Sequence, residues 1–543
     1  MPSSARSSCG GQTPSGRRLV QTSISFRFLI RYLCTFAVLL FVSISAIAHV
    51  GSPDIYAEGN AGLYKLFVTV RPPLVIPGVA EIEVRSESAG ANAPTVSGIE
   101  IAPIPLTGEA SHHPPVADQM KQSPQDRQFF TGALWIMASG SWQVRFTVNG
   151  NQGNGVLSIP VPATSSSTRG MQTSLGVTLG CLGLLLVVGV IGIVGAAARD
   201  AQLPPGATAS GQATRRSRVA MIGALIITIA AVWFGDMWWK GEADSYARYV
   251  YKPLVMQATL ESSTKDNPAL DLRIEDPGWL KSRKIDDFVL DHDHLMHLYL
   301  IRKPGTDVVY HLHPDQIAPG EFRLLLPSIP AGTYSLYADI VHATGFPETL
   351  VAEFALPEIA GRPLGGDDAR GTARPLNLQS DSNECPAATT QFLLPDGYTM
   401  VWNHNESLTA RTPRVFSFSL LDASGKPPSD MALYMGMLGH AAFVKTDGTV
   451  FAHVHPSGTV SMAALMMAAA QNQSNEPKPD LIESMPGMAM SGGQQETSRL
   501  PNTVGFPFGF PTAGSYRIFV QMKHGLTVET AAFDACATSP RGS

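Results

Sequence analysis

At 543 residues the chain exceeds what one hydrophobic core organises, and three or four domains are expected. Charged residues make up only 15% while Gly (50) and Pro (41) abound, which suits short strands joined by turns plus some membrane-embedded length. The net charge of −5, with no Lys/Arg run or basic face, excludes a nucleic-acid binder, and five scattered cysteines without a CxxC exclude a zinc ribbon or thioredoxin-type site.

Arg17, Arg18, Arg27 and Arg31 precede an apolar run from 33 to 47 that ends Ala46-Ile47-Ala48, an A-x-A signal-peptidase pattern. Residues 1–48 therefore read as a signal peptide, or as an N-terminal anchor if they are not cut. Cleavage would leave His49 as the new N-terminus. From 49 to 165 the pattern is all-β, with strands expected at 64–70, 80–84, 98–104, 142–148 and 156–161 and turns at Pro77-Gly78 and Asn149-Gly150. A β-sandwich fits this length.

Two apolar stretches, 173–197 and 219–239, are each long enough for the roughly 20 helical residues that cross a bilayer. The second closes on Trp233, Trp238 and Trp239, as an aromatic belt does. Neither has the polar face of a buried core helix. The region 172–239 thus reads as two transmembrane helices around a short loop carrying Arg199, Arg215, Arg216 and Arg218. Positive loops stay in the cytoplasm, which places both flanking regions outside. The first charge within the spans is Asp236, near an interface, so they do not resemble a transport path.

Two further sandwiches are expected at 249–360 and 376–543, joined by a Gly/Pro/Arg/Asp-rich linker at 361–375. Cys385 and Cys536 bracket the last domain and, in an oxidising periplasm, can close it with a disulfide if their geometry permits. The fold class is mainly β: several Ig-like or cupredoxin-like β-sandwich domains plus two transmembrane α-helices.

The last two domains repeat a histidine pattern. One reads His294-Leu295-Met296-His297, a strand, a Pro304-Gly305 turn, His311-Leu312-His313-Pro314, and later His342, ten residues after Gly332. The other reads Leu438-Gly439-His440, a strand, an Asp447-Gly448 turn, His453-Val454-His455-Pro456, and later His524, ten residues after Gly514. Alternate side chains share a strand face, so H-x-H projects two imidazoles the same way. With Asp447-Gly448 as a two-residue loop, His440 falls opposite His455, close enough for two ring nitrogens to share an ion. Imidazole suits copper and zinc. The candidate ligands are His297, His311, His313 and His342 in one copy and His440, His453, His455 and His524 in the other. The competing reading makes H-x-H-P a structural strand end. Asp291, Asp293 and Asp315 are either orienting partners or turn residues.

Methionine tilts the choice toward copper. Met431, Met435 and Met437 precede His440. An insertion carries Met462, Met466 and Met467, which also fit a short core helix, and then Met485, Met488 and Met490 in a polar segment. Thioethers are soft ligands that favour Cu(I). That last Met-x-x-Met-x-Met run resembles segments of periplasmic copper-handling proteins.

The stretch Phe130-Thr131-Gly132-Ala133-Leu134-Trp135 through Trp142-Gln143-Val144 resembles the end of the YtkA-like family of small bacterial envelope domains, which implies a fold more than an activity. An exposed N-terminal His49 resembles CopC-like copper carriers, and its amine and imidazole would chelate Cu(II), with His112 and His113 as candidate partners. Equally, Ala48-His49 is simply where an export signal ends. Leu433-Tyr434-Met435-Gly436-Met437-Leu438-Gly439-His440 through His453-Val454-His455-Pro456 resembles a domain of copper-associated bacterial envelope proteins, Ig-like or cupredoxin-like in outline. This likeness covers the last two domains and, more weakly, the first. No cysteine lies between the histidines of either copy, which argues against a blue-copper centre.

The expected function is an inner-membrane-anchored periplasmic protein that binds or handles metal, copper first and zinc second, without turnover. A copper exporter or an oxidase assembly factor is its expected partner. The alternatives are a structural or adhesive Ig-like envelope protein and a histidine-brace copper enzyme built on His49. No GxSxG, Walker A loop or HExxH is present.

Overall fold

The computed structural model describes residues 53–87, 94–113, 115–168, 170–204, 206–261, 268–279, 283–376, 388–404, 406–472 and 499–540. The segment 1–48, His49, Cys385 and Met485, Met488 and Met490 lie outside them. The described chain is mostly strand, arranged as three two-sheet sandwiches with two long helices between the first and second.

In the first sandwich a five-stranded sheet that includes Ile55–Ala61, Tyr64–Arg71, Gly78–Glu87 and Phe129–Ile136 faces a four-stranded one that includes Val96–Pro105, Gly140–Gly150 and Gly153–Ala163. Period-two alternation builds its core: Ala80, Ile82 and Val84 point inward, while Glu81 and Arg85 between them are exposed. The five strands expected there all form, each slightly longer than anticipated.

The helices run Thr173–Asp200 and Gly211–Ala247, with mean hydropathies of 2.7 and 2.0, long and apolar enough to cross a membrane. The connecting loop is shorter than expected. Arg215, Arg216 and Arg218 lie on the second helix, which starts early because Ser210 Oγ caps it by accepting from Ala213 N at 3.2 Å. The helices touch where Gly195 has no side chain, and there Ser217 Oγ donates to Gly195 O at 2.7 Å.

The second and third sandwiches are variants of one plan. In the second, a sheet of Val255–Glu261, Ala269–Glu275, Glu321–Leu325 and Asp315–Ala318 faces one containing His297–Lys303, Val308–Leu312, Gly332–Val341 and Pro347–Leu356. In the third, the corresponding strands of the latter sheet are His440–Lys445, Phe451–Val454, Gly514–His524 and Thr527–Thr538. The segment expected as linker is partly sheet: Ala369–Thr372 pairs with Val308–Leu312. Its small residues explain both the misreading and the strand. Ala369 is buried, and a side chain at Gly371 would meet Thr530 of the third sandwich at 2.6 Å. Cys536 is disulfide-bonded.

These two matching sheets pack face to face. Tyr299, Ile301, Val309 and Tyr337 of one meet Ala442, Val444, Phe451 and Phe519 of the other in a shared apolar layer. Tyr337 and Phe451 stack with ring centroids 4.2 Å apart and planes 3° from parallel. The Arg517 guanidinium is buried and spans the seam, paired with Asp534 and donating to the carbonyls of Thr306 and Arg374 at 3.0 and 2.8 Å. The first sandwich closes over one end of this pair. Glu58 N donates to Ser457 O, and Gly458 approaches Tyr56 so closely that a Cβ would lie 1.9 Å from the Tyr56 carbonyl oxygen. The helix Met462–Asn472 buries Met462 and Leu465 in the first sandwich's core, while Met466 faces out.

Truncating Phe451 to Ala removes the ring at the centre of the seam. It should cost about 3–5 kcal/mol, read as an earlier denaturant-unfolding transition of the metal-free full-length chain, with a cost of only about 1 kcal/mol expected for the exposed Asp447→Ala, which loses turn contacts with Thr449 and Lys445.

Candidate metal centre

The hairpin of the third sandwich forms in the expected register. Ala441 pairs with Val454, so His440 and His455 come next in register, with ring centroids 5.0 Å apart. In the other copy Leu298 pairs with Leu312, which brings His297 beside His313 at 5.1 Å. Because the two sheets face each other, the two hairpins meet. His453 lies 5.4 Å from each of His297, His311 and His440.

Two residues outside the expected set join them. His292 and Asp293 occupy the centre of a tight turn closed by Asp291 and His294, with φ of 51° and 67°. The matching turn of the third sandwich is Tyr434 to Met437. His292 crosses the seam to lie 5.1 Å from His440 and 4.9 Å from His455, and His294 stacks on His313 at 3.8 Å. His292-Asp293-His294 is itself an H-x-H, but in a turn rather than a strand, so face alternation did not point to it. Two three-imidazole groups result, each with its ring nitrogens within 4.8 Å of one another: His292, His440 and His455, and His297, His311 and His313.

The hydrogen bonds orient these rings. His311 Nδ1 donates to Gln521 Oε1 at 2.9 Å, a residue of the third sandwich, while His453 Nδ1 meets Asp339 of the second at 3.2 Å. His313 Nδ1 meets Asp368 Oδ1 and His455 Nδ1 donates to Val460 O, both at 3.2 Å. His297 uses its other nitrogen, Nε2, to donate to Asp291 O at 2.9 Å. Each of these five rings thus spends its N–H outward and turns a lone pair inward. The Nε2 atoms of His292, His313, His453 and His455, and both nitrogens of His440, are buried without a hydrogen-bond partner. His297 Nδ1 and His311 Nε2 face each other at 3.2 Å with both N–H groups used elsewhere, so two lone pairs confront one another.

Such an arrangement is costly on its own, since each buried unsatisfied polar atom costs about 1–3 kcal/mol. Protonation does not relieve it. Burial, reinforced by neighbouring imidazoles, holds His311, His313, His440 and His453 well below the usual range and lowers His292 to about 4. Burial likewise lowers His297 to about 4 and also depresses His455. These seven rings are neutral at pH 7 and converge lone pairs on shared space, with outer acceptors fixing the tautomers of His297, His311, His313, His453 and His455. This is the donor arrangement a metal ion requires. The outer set has two acidic members, Asp339, pushed up to about 7 by burial, and Asp368, also raised by burial.

His342 and His524 do not join, contrary to expectation. The residues of their strands opposite His297 and His440 are Asp339 and Gln521, so both histidines lie three positions further on, an odd offset that puts them on the other face. His342 is held between Asp287 at 2.8 Å and Glu348 at 2.9 Å, and this raises it. His524 lies among Asp430, Asp396 and Glu529. Of the carboxylates considered, Asp291 does bridge: its carbonyl takes His297, and its Oδ1 accepts from Ala463 N at the helix start at 2.8 Å. Asp315 is exposed on the opposite sheet. Met431, Met435 and Met437 are buried in apolar clusters, and His112 and His113 are exposed.

A family model described as a domain of unknown function (DUF8832) matches residues 390–539, the third sandwich. No curated protein matches the chain. Among solved structures it is similar to trypsin-activated alpha-2-macroglobulin from Escherichia coli, at 9% identity and a TM-score of 0.18, over 92% of this chain and 25% of that one. It is also similar to dimeric latent PorU from Porphyromonas gingivalis, at 6% identity and a TM-score of 0.13, over 90% of this chain and 34% of that one. The chain therefore spans a quarter to a third of those proteins' length, and at these scores neither carries an argument here.

The depressed imidazoles set a pH dependence. Their folded-state values lie below the unfolded value, so between about pH 4 and 6.5 the unfolded chain binds more protons and stability falls with acidification. Asp339 and His342 are raised and work in the opposite sense, so the measurement is differential. In chelator-treated protein, going from pH 7 to 5 should shift relative stability toward His440→Gln/His453→Gln and away from the parent, by up to about 1.4 kcal/mol per pH unit per histidine. Thermal unfolding of both proteins across pH checks this.

Proposed function

We propose that the chain is a membrane-anchored extracytoplasmic protein that holds metal, copper foremost, in a polyhistidine centre sealed between its second and third sandwiches. The observation that carries this reading is the set of buried, unpartnered imidazole nitrogens converging from both sheets. An adhesive Ig-like protein has no use for them, and their desolvation would go uncompensated. All-imidazole ligation suits copper and zinc, and copper heads the affinity order among divalent ions. Two three-imidazole groups, with His453 between them, favour more than one ion per chain.

Holding rather than turnover fits the enclosure. His297, His311, His440 and His455 are each at most 4% exposed, so loading requires the seam to open. The two apolar helices fit an inner-membrane anchor with the sandwiches in the periplasm, where a copper exporter or an oxidase assembly factor would be the partner.

Copper and zinc titration of the full-length detergent-solubilised chain tests the reading. The parent should bind copper tightly, with about two ions per chain if each group holds one. His311→Gln/His440→Gln, which removes one ligand from each group, should abolish tight binding. Asp339→Ala, which removes the outer partner of His453 and the acceptor of Thr349 Oγ1 but no ligand, should weaken it by about 10- to 100-fold. Unchanged binding in the double variant would make the histidines architectural.

Orientation is tested separately. A single cysteine at Thr208, between the helices, should resist a membrane-impermeant thiol reagent in intact spheroplasts, and one at Glu358 should react.

A further inference from the structure

The position that His342 and His524 share in the two repeats is finished differently in each. In the second sandwich it is closed. Both nitrogens of His342 meet a carboxylate at hydrogen-bond distance, and Glu348 is neutralised by Arg283 at 2.6 Å. In the third sandwich no arginine or lysine pairs with Asp396 or Glu529 among the described residues.

His524 is 8% exposed and Glu529 is 5% exposed. Asp430 Oδ2 lies 3.3 Å from His524 Nδ1 and accepts its N–H. The other nitrogen, Nε2, points at Asp396 Oδ2, 3.4 Å away, and Glu529 Oε1, 3.5 Å away, and makes no hydrogen bond. A buried, unbonded ring nitrogen and two carboxylates that no Lys or Arg neutralises converge on one space that suits a cation. The backbone prepares the carboxylates for this. Asp396 sits in the turn before Thr399–Trp402, its Oδ1 fixed by Tyr398 N at 3.0 Å, and Tyr398 stacks on the His524 ring at 4.1 Å. Glu529 projects from the strand Thr527–Thr538, beside the end of the His524 strand. The ligand atoms of Asp396, His524 and Glu529 lie within 4.8 Å of one another.

We propose that Asp396, His524 and Glu529 form a second site, independent of the polyhistidine centre, for a single divalent cation of the zinc or manganese class. Two carboxylates and one imidazole make a harder donor set than eight imidazoles, which disfavours Cu(I). Asp396 is exposed, so the site faces solvent on one side and keeps a coordination position open to water or an anionic ligand.

The test is the zinc and cobalt stoichiometry of the full-length chain, with visible Co(II) absorption as a second readout. It compares the parent with Asp396→Asn, Glu529→Gln and His311→Gln/His440→Gln. Asp396→Asn keeps the Oδ1 contact with Tyr398 on an exposed turn and is expected to fold whatever Glu529→Gln does. Each site variant should bind one zinc ion fewer than the parent and lose the matching Co(II) band, while the polyhistidine variant keeps both. Because the readout is a difference of one ion at this site, it stands whether or not the polyhistidine centre binds metal. Equal stoichiometry and spectra in the parent and Asp396→Asn would overturn the proposal and make His524 an imidazolium ion-paired with its three carboxylates.

Discussion

The packing of two matching sheets across one seam is the constraint on which the rest of the molecule depends. Each sheet alone presents a half-apolar face with a histidine hairpin at one end. Only when Tyr337 stacks on Phe451 and Arg517 anchors on the far side's carbonyls do the hairpins meet. The hydrogen bonds at the centre repeat this dependence in miniature. His311 of one sandwich is oriented by Gln521 of the other, and His453 by Asp339 in return. Asp339 and Gln521 are equivalent positions, opposite His297 and His440 in their own sheets, so the exchange has near two-fold symmetry.

That symmetry is broken where it matters for charge. In the tight turn before each histidine strand, the second sandwich places His292 and His294 where the third places Met435 and Met437. The extra imidazoles therefore come from one side only, and one of them crosses to complete a group with His440 and His455. The helix Met462–Asn472 braces the arrangement by donating its Ala463 N–H to the Asp291 carboxylate at its N-terminal end while burying its apolar face in the first sandwich.

Much of this was legible from residue patterns, for local reasons. Strand alternation and the Asp447-Gly448 turn were enough to place His440 opposite His455, because a hairpin's register is set within its own few residues. The two apolar helices announced themselves by length. What failed was non-local or non-repetitive. His342 and His524 shared an offset from their glycines, but the offset from the facing histidine is odd, and that parity becomes visible only once the strand pairing is known. His292 sits at positive φ, where no periodicity applies. The linker reading of 361–375 followed composition, whereas Ala369 and Gly371 are small because the third sandwich packs against them.

The division of the histidines between two domains also bears on how such a chain is made and how it evolves. The second sandwich leaves the ribosome first, carrying five of the eight clustered rings, and must wait for His440, His453 and His455 before any group containing them exists. A shortened product that ends before the third sandwich lacks Gln521 to orient His311 and leaves His292 without His440 and His455. Duplication of one ancestral domain would at first have produced two interchangeable units. Once His292 reached across and Gln521 and Asp339 traded partners, neither copy remained free to drift, be swapped or be lost without the other.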